Sequence, residues 1–182
     1  MDGGLFRVHY YRFATAFAPP LLHYAHMNNT ITSDLELFGS DIALDNNFMP
    51  LVAANGELIL TSGCNCALQN VGMRLYVMLG SLFYDVEYGS LVLNWINEES
   101  TPQTRAALVA EVERRVNIDP HVVPGSATCK VNTWDHTGVV LGLDLVLINQ
   151  AHPDHLVLHL APNTGFIMEI ISHANPRESA RP

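Results

Sequence analysis

From Ala127 onward the apolar residues recur at every second position, and this period limits the possible folds more than any other feature of the chain. Ala127, Cys129, Val131 and Thr133 alternate with Thr128, Lys130, Asn132 and Trp134, which predicts a strand with one face on a core. A second strand is expected over Val139–Asn149, interrupted by Asp144, with a turn at Ala151–Asp154. In the third, Leu156, Leu158 and Leu160 share one side, while His155, Val157 and His159 share the other. Gly165–Ser172 reads as a last strand, followed by a polar tail over 173–182 with no structural signal.

Upstream the period changes. Leu68, Val71, Leu75 and Met78 or Leu79 recur every three or four residues, so Cys64–Leu79 is expected to be an amphipathic helix ended by Gly80. Gly72 inside it costs about 1 kcal/mol relative to alanine, which suggests that close packing is needed there. Leu91–Ile96 reads as a short helical segment. Thr101 and Pro102 then make a good helix start. That helix carries the stripe Leu108, Val109, Val112 and Val116, with Glu111 and Arg115 expected to pair on its outer face and Pro120 to end it. Before these helices, Leu35, Leu37, Ile42 and Leu44 suggest two extended pieces around a turn at Gly39 and Ser40. Glu57–Leu60 suggests another strand, with turns at Asn46–Asn47 and Asn55–Gly56. The expected architecture is α+β: a mostly antiparallel C-terminal sheet with the central helices packed on one face.

Composition narrows the function. With 182 residues, 48% apolar and 15% charged, the chain has the material for one packed domain plus extensions. Its formal charge is −9 and its nine Lys and Arg form no run, which argues against nucleic-acid binding, since phosphate contacts need clustered cations. The three cysteines are an odd number, which points away from a disulfide framework and toward a reducing compartment. Cys64 and Cys66 read as small buried residues at a helix start rather than half of a zinc site. No apolar run reaches the roughly 18 residues a membrane span needs. The nearest, from Phe13 to Ala25, is broken by Pro19 and Pro20.

Catalytic constellations were weighed against plainer readings. His155 and His159 share a strand face, but about 13 Å separates their Cα atoms, so these two and the nearby His152 and Asp154 read as solvent-facing residues rather than metal ligands. Asp85 and Glu87, if extended, place two carboxylates about 7 Å apart, which loosely suits glycosidase chemistry. No sugar cleft rich in aromatics accompanies them. Ser62, Gly63 and Cys64 form an ordinary turn into a helix, and no phosphate-cradling glycine loop is present. No cofactor is expected.

The order of landmarks between Ser33 and His121 is itself informative. Asp34, Leu35, Leu37, Asp41, Ile42 and Leu44 come first, then a helix bearing Gln69, Arg74 and Leu75. Gly80, Tyr84, Tyr88 and Gly89 follow, then the second helix, and finally Asp119, Pro120 and His121. In this order and spacing the chain resembles the baseplate wedge or sheath-initiator family of contractile tails, shared by phages and type VI secretion machines. The resemblance covers about residues 33–171. An acidic residue follows the glycine at the end of the family's first helix, whereas Ser81 follows Gly80 here. The family's acidic-Pro-Arg motif has His121 in place of the arginine, and a histidine cannot reproduce arginine's permanent bidentate charge.

What the resemblance implies is a virion structural protein, not an enzyme, made and assembled in the host cytoplasm and placed in the tail baseplate of a phage or related injection system. Its expected partners are the tail sheath protein, the baseplate wedge proteins and the tail tube or hub protein, with six copies around the tail. Asp119, Pro120 and His121 are expected to contact the wedge. An exposed strand edge would nucleate the sheath by β-augmentation, and Phe166, Ile167, Met168, Glu169, Ile170 and Ile171 of the last strand are the preferred exchange element. An ordinary final strand within the domain is the competing reading. Residues 33–172 would form the domain. Residues 1–32, rich in aromatics and histidines, would be either a docking arm or an upstream extension before a start at Met27. The alternative function is a tail-associated lytic or metal-dependent hydrolase using Asp85, Glu87 or the His152–His159 group.

Overall fold

The period-two stretch forms an antiparallel sheet, and the upstream helices cover one face of it. The computed structural model describes residues 34–163 and 165–172, so the readings made for 1–32 and 173–182 lie outside the described residues. In chain order the elements are α1 (Asp34–Phe38), β1 (Ser40–Ile42), β2 (Leu60–Ser62), α2 (Cys64–Tyr76), α3 (Pro102–Asn117), β3 (Thr128–Asp135), β4 (Gly138–Leu145), β5 (Asp154–Ala161) and β6 (Gly165–Ser172). The strands β3-β4-β5-β6 pair in sequence order, each antiparallel to the next. Leu141, Leu143, Leu156, Leu158, Phe166 and Met168 line the covered face and share one core with Leu68, Val71 and Leu75 of α2 and Leu108, Val112 and Val116 of α3.

Local chemistry explains where the helices begin. Thr101 caps α3 by accepting from the Thr104 N–H, while the Thr104 hydroxyl accepts from the Thr101 N–H. Two orphan donors are thereby satisfied, and Pro102 occupies a position whose N–H was not needed. Gly72 packs α2 against the sheet: a Cβ there would lie 2.6 Å from Met168 Cε and 3.0 Å from the Phe48 ring.

Several expectations are corrected. Asp34–Phe38 is helical rather than extended, and closes on Gly39, whose φ of 71° lies in the left-handed region that favours glycine. The helix α2 stops at Tyr76, short of Gly80, because Val77 turns extended and Met78 enters a bridge with Ser90. The helix α3 ends at Asn117 as expected, with Pro120 three residues beyond and unable to continue it. Asp144 does not interrupt β4. It points to the open face, where alternation tolerates it. In β3 a bulge at Asn132 shifts the phase, so Trp134 packs against the core while Thr133 is exposed.

Residues 40–62 fold into a small three-cornered β unit. Ala43 N–H donates to Ile59 C=O (2.8 Å), Ile59 N–H to Leu51 C=O (3.0 Å), and Leu51 N–H to Ala43 C=O (2.8 Å). The three bonds close a ring through Ala43, Leu51 and Ile59, spaced eight residues apart in turn, with the closing bond spanning sixteen. Gln69 of α2 ties this unit down like a neighbouring strand: its side-chain oxygen accepts from Leu44 N–H and its NH2 donates to Ile42 C=O, both at 2.9 Å. Phe48 locks the other side, stacked on Tyr76 at 4.9 Å and tilted against Phe166 at 5.6 Å.

Candidate interaction surface

The two outer edges of the large sheet are not equivalent. Side chains of α3 occupy the start of the β3 edge. Asn117 Oδ1 accepts from the Gly125 and Ala127 N–H groups, and Glu113 Oε1 accepts from Cys129 N–H. The Asn132 bulge distorts the rest, a common way of blunting an edge. Among the described residues, one backbone N–H on the β6 edge is engaged, that of Met168, by Asn46 C=O at 3.3 Å. Because outward and inward groups alternate along an antiparallel pair, Phe166 and Ile170 aim their N–H and C=O to the same outer side as Met168. Beyond Met168 the edge separates from residues 43–46, leaving a slot of about 480 Å3 that Thr61, Asn65 and Gln69 help to line.

All six exchange-strand candidates lie on β6, divided between two environments. Phe166 and Met168 are buried in the core, while Ile167, Glu169 and Ile171 belong to the open face. Ile170 points to the core side but lies at its margin, and is 38% exposed beside the slot. A register shift between Ile170 and Ser172 bends the strand end at Ile171, which is 60% exposed. The strand is therefore buried at its start and available at its end.

Asp119, Pro120 and His121 are together, but the acid faces inward. Asp119 is 4% exposed. Its Oδ2 accepts from Arg74 Nε at 3.0 Å, and its Oδ1 lies 3.0 Å from both the backbone N and Nδ1 of His121. The Arg74 guanidinium also sits over the Tyr88 ring, 4.6 Å from its centroid, and the His121 ring meets Phe38 edge-on. Asp119 thus organises the loop, leaving Pro120 and part of the His121 ring as the surface a partner can reach.

The Glu111–Arg115 pair forms at 3.0 Å, but not on an outer face: Glu111 and Arg115 are 8% and 3% exposed. Glu111 also accepts from Arg114 and from the Leu91 N–H, while Arg115 donates to the Glu87 C=O. The cluster staples the segment after α2 onto α3. Burial pushes the Glu111 carboxyl up, but the hydrogen bonds from Arg114, Arg115 and Leu91 outweigh it and hold the group below its ordinary value of 4.5. A depressed folded value gives stability that is complete above the unfolded value and fades as pH falls through the folded one. Melting temperature followed from pH 7 down to pH ~3 is therefore expected to fall more steeply in the wild type than in Glu111→Gln. Parallel curves would contradict this role.

The catalytic candidates do not converge. Asp85 and Glu87 sit on an exposed loop rather than a strand, and Asp85 accepts from the Tyr88 N–H. His155 pairs with Asp144 across the open face, and His159 lies 4.0 Å from Glu169. Asp154 is buried at the start of β5 and His152 lies in the preceding turn. Among the described residues no cluster of three or more His, Cys, Asp or Glu is placed to hold a metal ion, and no helix is long and apolar enough to cross a membrane. All three cysteines are free. Burial and the neighbouring Asp34 push the Cys64 thiol up to about 11, and burial with Glu113 pushes Cys129 up to about 12, so neither is a ready nucleophile.

Two surfaces escaped the sequence reading. The three-cornered unit exposes Met49, Val52, Leu58 and Leu60, each more than half accessible. Phe83 and Tyr84 project from the loop after α2, 93% and 72% exposed. Absence of any helical or strand period over Gly80–Glu87 was the one available signal. Compared with protein-family models and with curated proteins, the chain finds no match.

Proposed function

We propose that this chain is a structural component of a contractile-tail baseplate, linking wedge and tail tube to the sheath and nucleating sheath assembly by strand exchange. The observation that carries this reading is the end of the β6 edge beside its slot, which is unpaired among the described residues. Extended backbone with unpaired N–H and C=O groups is a ready template for another strand. The β3 edge, by contrast, is occupied at its start by Glu113 and distorted by the Asn132 bulge beyond it. An incoming sheath strand adds beside Ile170, and the polar groups of Asn46, Thr61 and Asn65 line its other side. The wedge contact then falls to Pro120 and His121, in the geometry that Asp119 and Arg74 set. Six such copies around the tube would present six edges to the first sheath ring. The protein would act in the virion tail baseplate after assembly in the host cytoplasm.

The test is co-expression with the cognate sheath, wedge and tube proteins, followed by pull-down and electron microscopy. The expected result is capture of sheath and wedge proteins, with sheath rings forming only when this chain is present. Failure to bind either partner would sink the proposal. Deleting Gly165–Pro182 is a poor control, because it also removes Phe166 and Met168 from the core.

A further inference from the structure

The loop between α2 and the short 3-10 turn Val92–Trp95 presents two exposed aromatic rings on a fixed backbone. Its base is closed: Leu79 N–H donates to Ser90 C=O and Ser90 N–H to Val77 C=O, both at 2.9 Å, and the Ser90 hydroxyl donates to Leu75 C=O at 2.6 Å. Gly89 has a φ of 108°, and a Cβ there would lie 2.6 Å from the Val77 carbonyl oxygen, so only glycine lets the two ends approach. Arg115 holds the Glu87 carbonyl and Arg74 covers Tyr88, fixing the loop from both helices. Within it, Asp85 N–H donates to Leu82 C=O, closing a turn with Phe83 and Tyr84 at its two central positions. Their rings pack edge to face at 5.2 Å and are otherwise exposed, with Val86 beside them 56% accessible.

Two large rings presented on a backbone already fixed in place are well suited to be binding anchors, because little ordering is left for the moment of association. The charge around the tip is acidic. One guanidinium facing the loop, that of Arg74 over the Tyr88 ring, is engaged by Asp119. The other guanidinium at the loop base, Arg115, is engaged by Glu111. Asp85 and Glu87, flanking the aromatic tip, form no salt bridge among the described residues.

We infer that the Phe83–Tyr84 loop is a docking finger that inserts into an apolar pocket rimmed by lysine or arginine on another protein of the assembly. The choice of partners to test rests on the baseplate reading, but the loop geometry does not. In the experiment, p-benzoylphenylalanine replaces Phe83, or separately Ile171, in the full chain, which is assembled with the cognate wedge, tube and sheath proteins and irradiated. Position 83 is expected to crosslink into an apolar pocket bordered by basic side chains. Phe83→Ala is expected to weaken binding to the crosslinked protein by about 30-fold or more without moving the melting temperature. The double substitution Asp85→Lys with Glu87→Lys is expected to weaken it by about tenfold at low salt and less at high salt.

No adduct at position 83, a crosslink to a second copy of this chain, or affinity indifferent to Phe83→Ala would overturn the inference. Indifference to the charge reversal would overturn its basic rim. Position 171 reports separately on the sheath contact, so its failure is distinguishable from failure of the finger.

Discussion

Asp119→Ala is expected to cost about 3–5 kcal/mol of folding stability, the range for breaking a buried ion pair from one side. The Arg74 side chain is only 12% exposed and that of Asp119 3%, so removing the carboxylate leaves a guanidinium without its counter-charge in a poorly solvated place. Two further bonds go with it, because Asp119 Oδ1 also organises the backbone N–H and ring of His121. The loss should read out as a lower urea midpoint with unchanged slope. Arg74→Met combined with Asp119→Leu is expected to recover part of it, since two apolar residues leave no charge unpaired. A loss under about 1 kcal/mol, the range of exposed pairs, would mean that Arg74 reaches water and that the loop is shaped by something else.

Ile170→Pro is expected to leave the monomer folded and abolish sheath nucleation. Proline lacks the backbone N–H and is tolerated on a strand edge only where that N–H faces outward. At Ile170 it faces outward, by alternation from Met168, whose N–H leaves the sheet toward Asn46. At Glu169 it faces inward to Val157, so Glu169→Pro should unfold the strand. The pair separates edge chemistry from core stability. Circular dichroism and melting should resemble wild type for Ile170→Pro, while sheath rings counted by electron microscopy fall at least about tenfold, equivalent to 1.4 kcal/mol or more. Normal ring counts would show that the β6 edge is not the contact.

The parts of this fold that could be read from sequence were those fixed by local period and local caps. The bounds of β6 and the starts of α2 and α3 needed only alternation, the three-to-four spacing and a Thr-Pro cap. The missed parts depend on partners far along the chain. The Asn132 bulge depends on how β3 registers against β4. The i,i+4 spacing of Glu111 and Arg115 predicts a pair but not its burial, which is set by Leu91 and Glu87 arriving from another element. Gln69, Arg74 and Asp119 all stood out as landmarks, yet nothing local links Arg74 to an aspartate 45 positions away. The three-cornered unit has strands too short to show a period, and its bonds join residues eight or sixteen apart.

For the site, the same division holds. Gly165–Ser172 was legible as a strand with apolar residues on both faces, and Ile170 and Ile171 remain accessible where that strand leaves the core. The inward turn of Asp119 was not legible, because a short acidic-Pro-His motif carries no information about which way its carboxylate points. The exposure of Phe83 and Tyr84 ran against hydrophobicity itself, which favours burying aromatic rings.

Acceptance of a sheath strand by the β6 edge is what sets this proposal apart from any other docking mode. The most direct test is an electron-microscopy structure of this chain bound to its cognate sheath protein. The expected result is a fifth strand beside β6, hydrogen-bonded to Ile170 and filling the slot between β6 and residues 43–46. A sheath protein docked elsewhere, with the Ile170 edge still open, would contradict it.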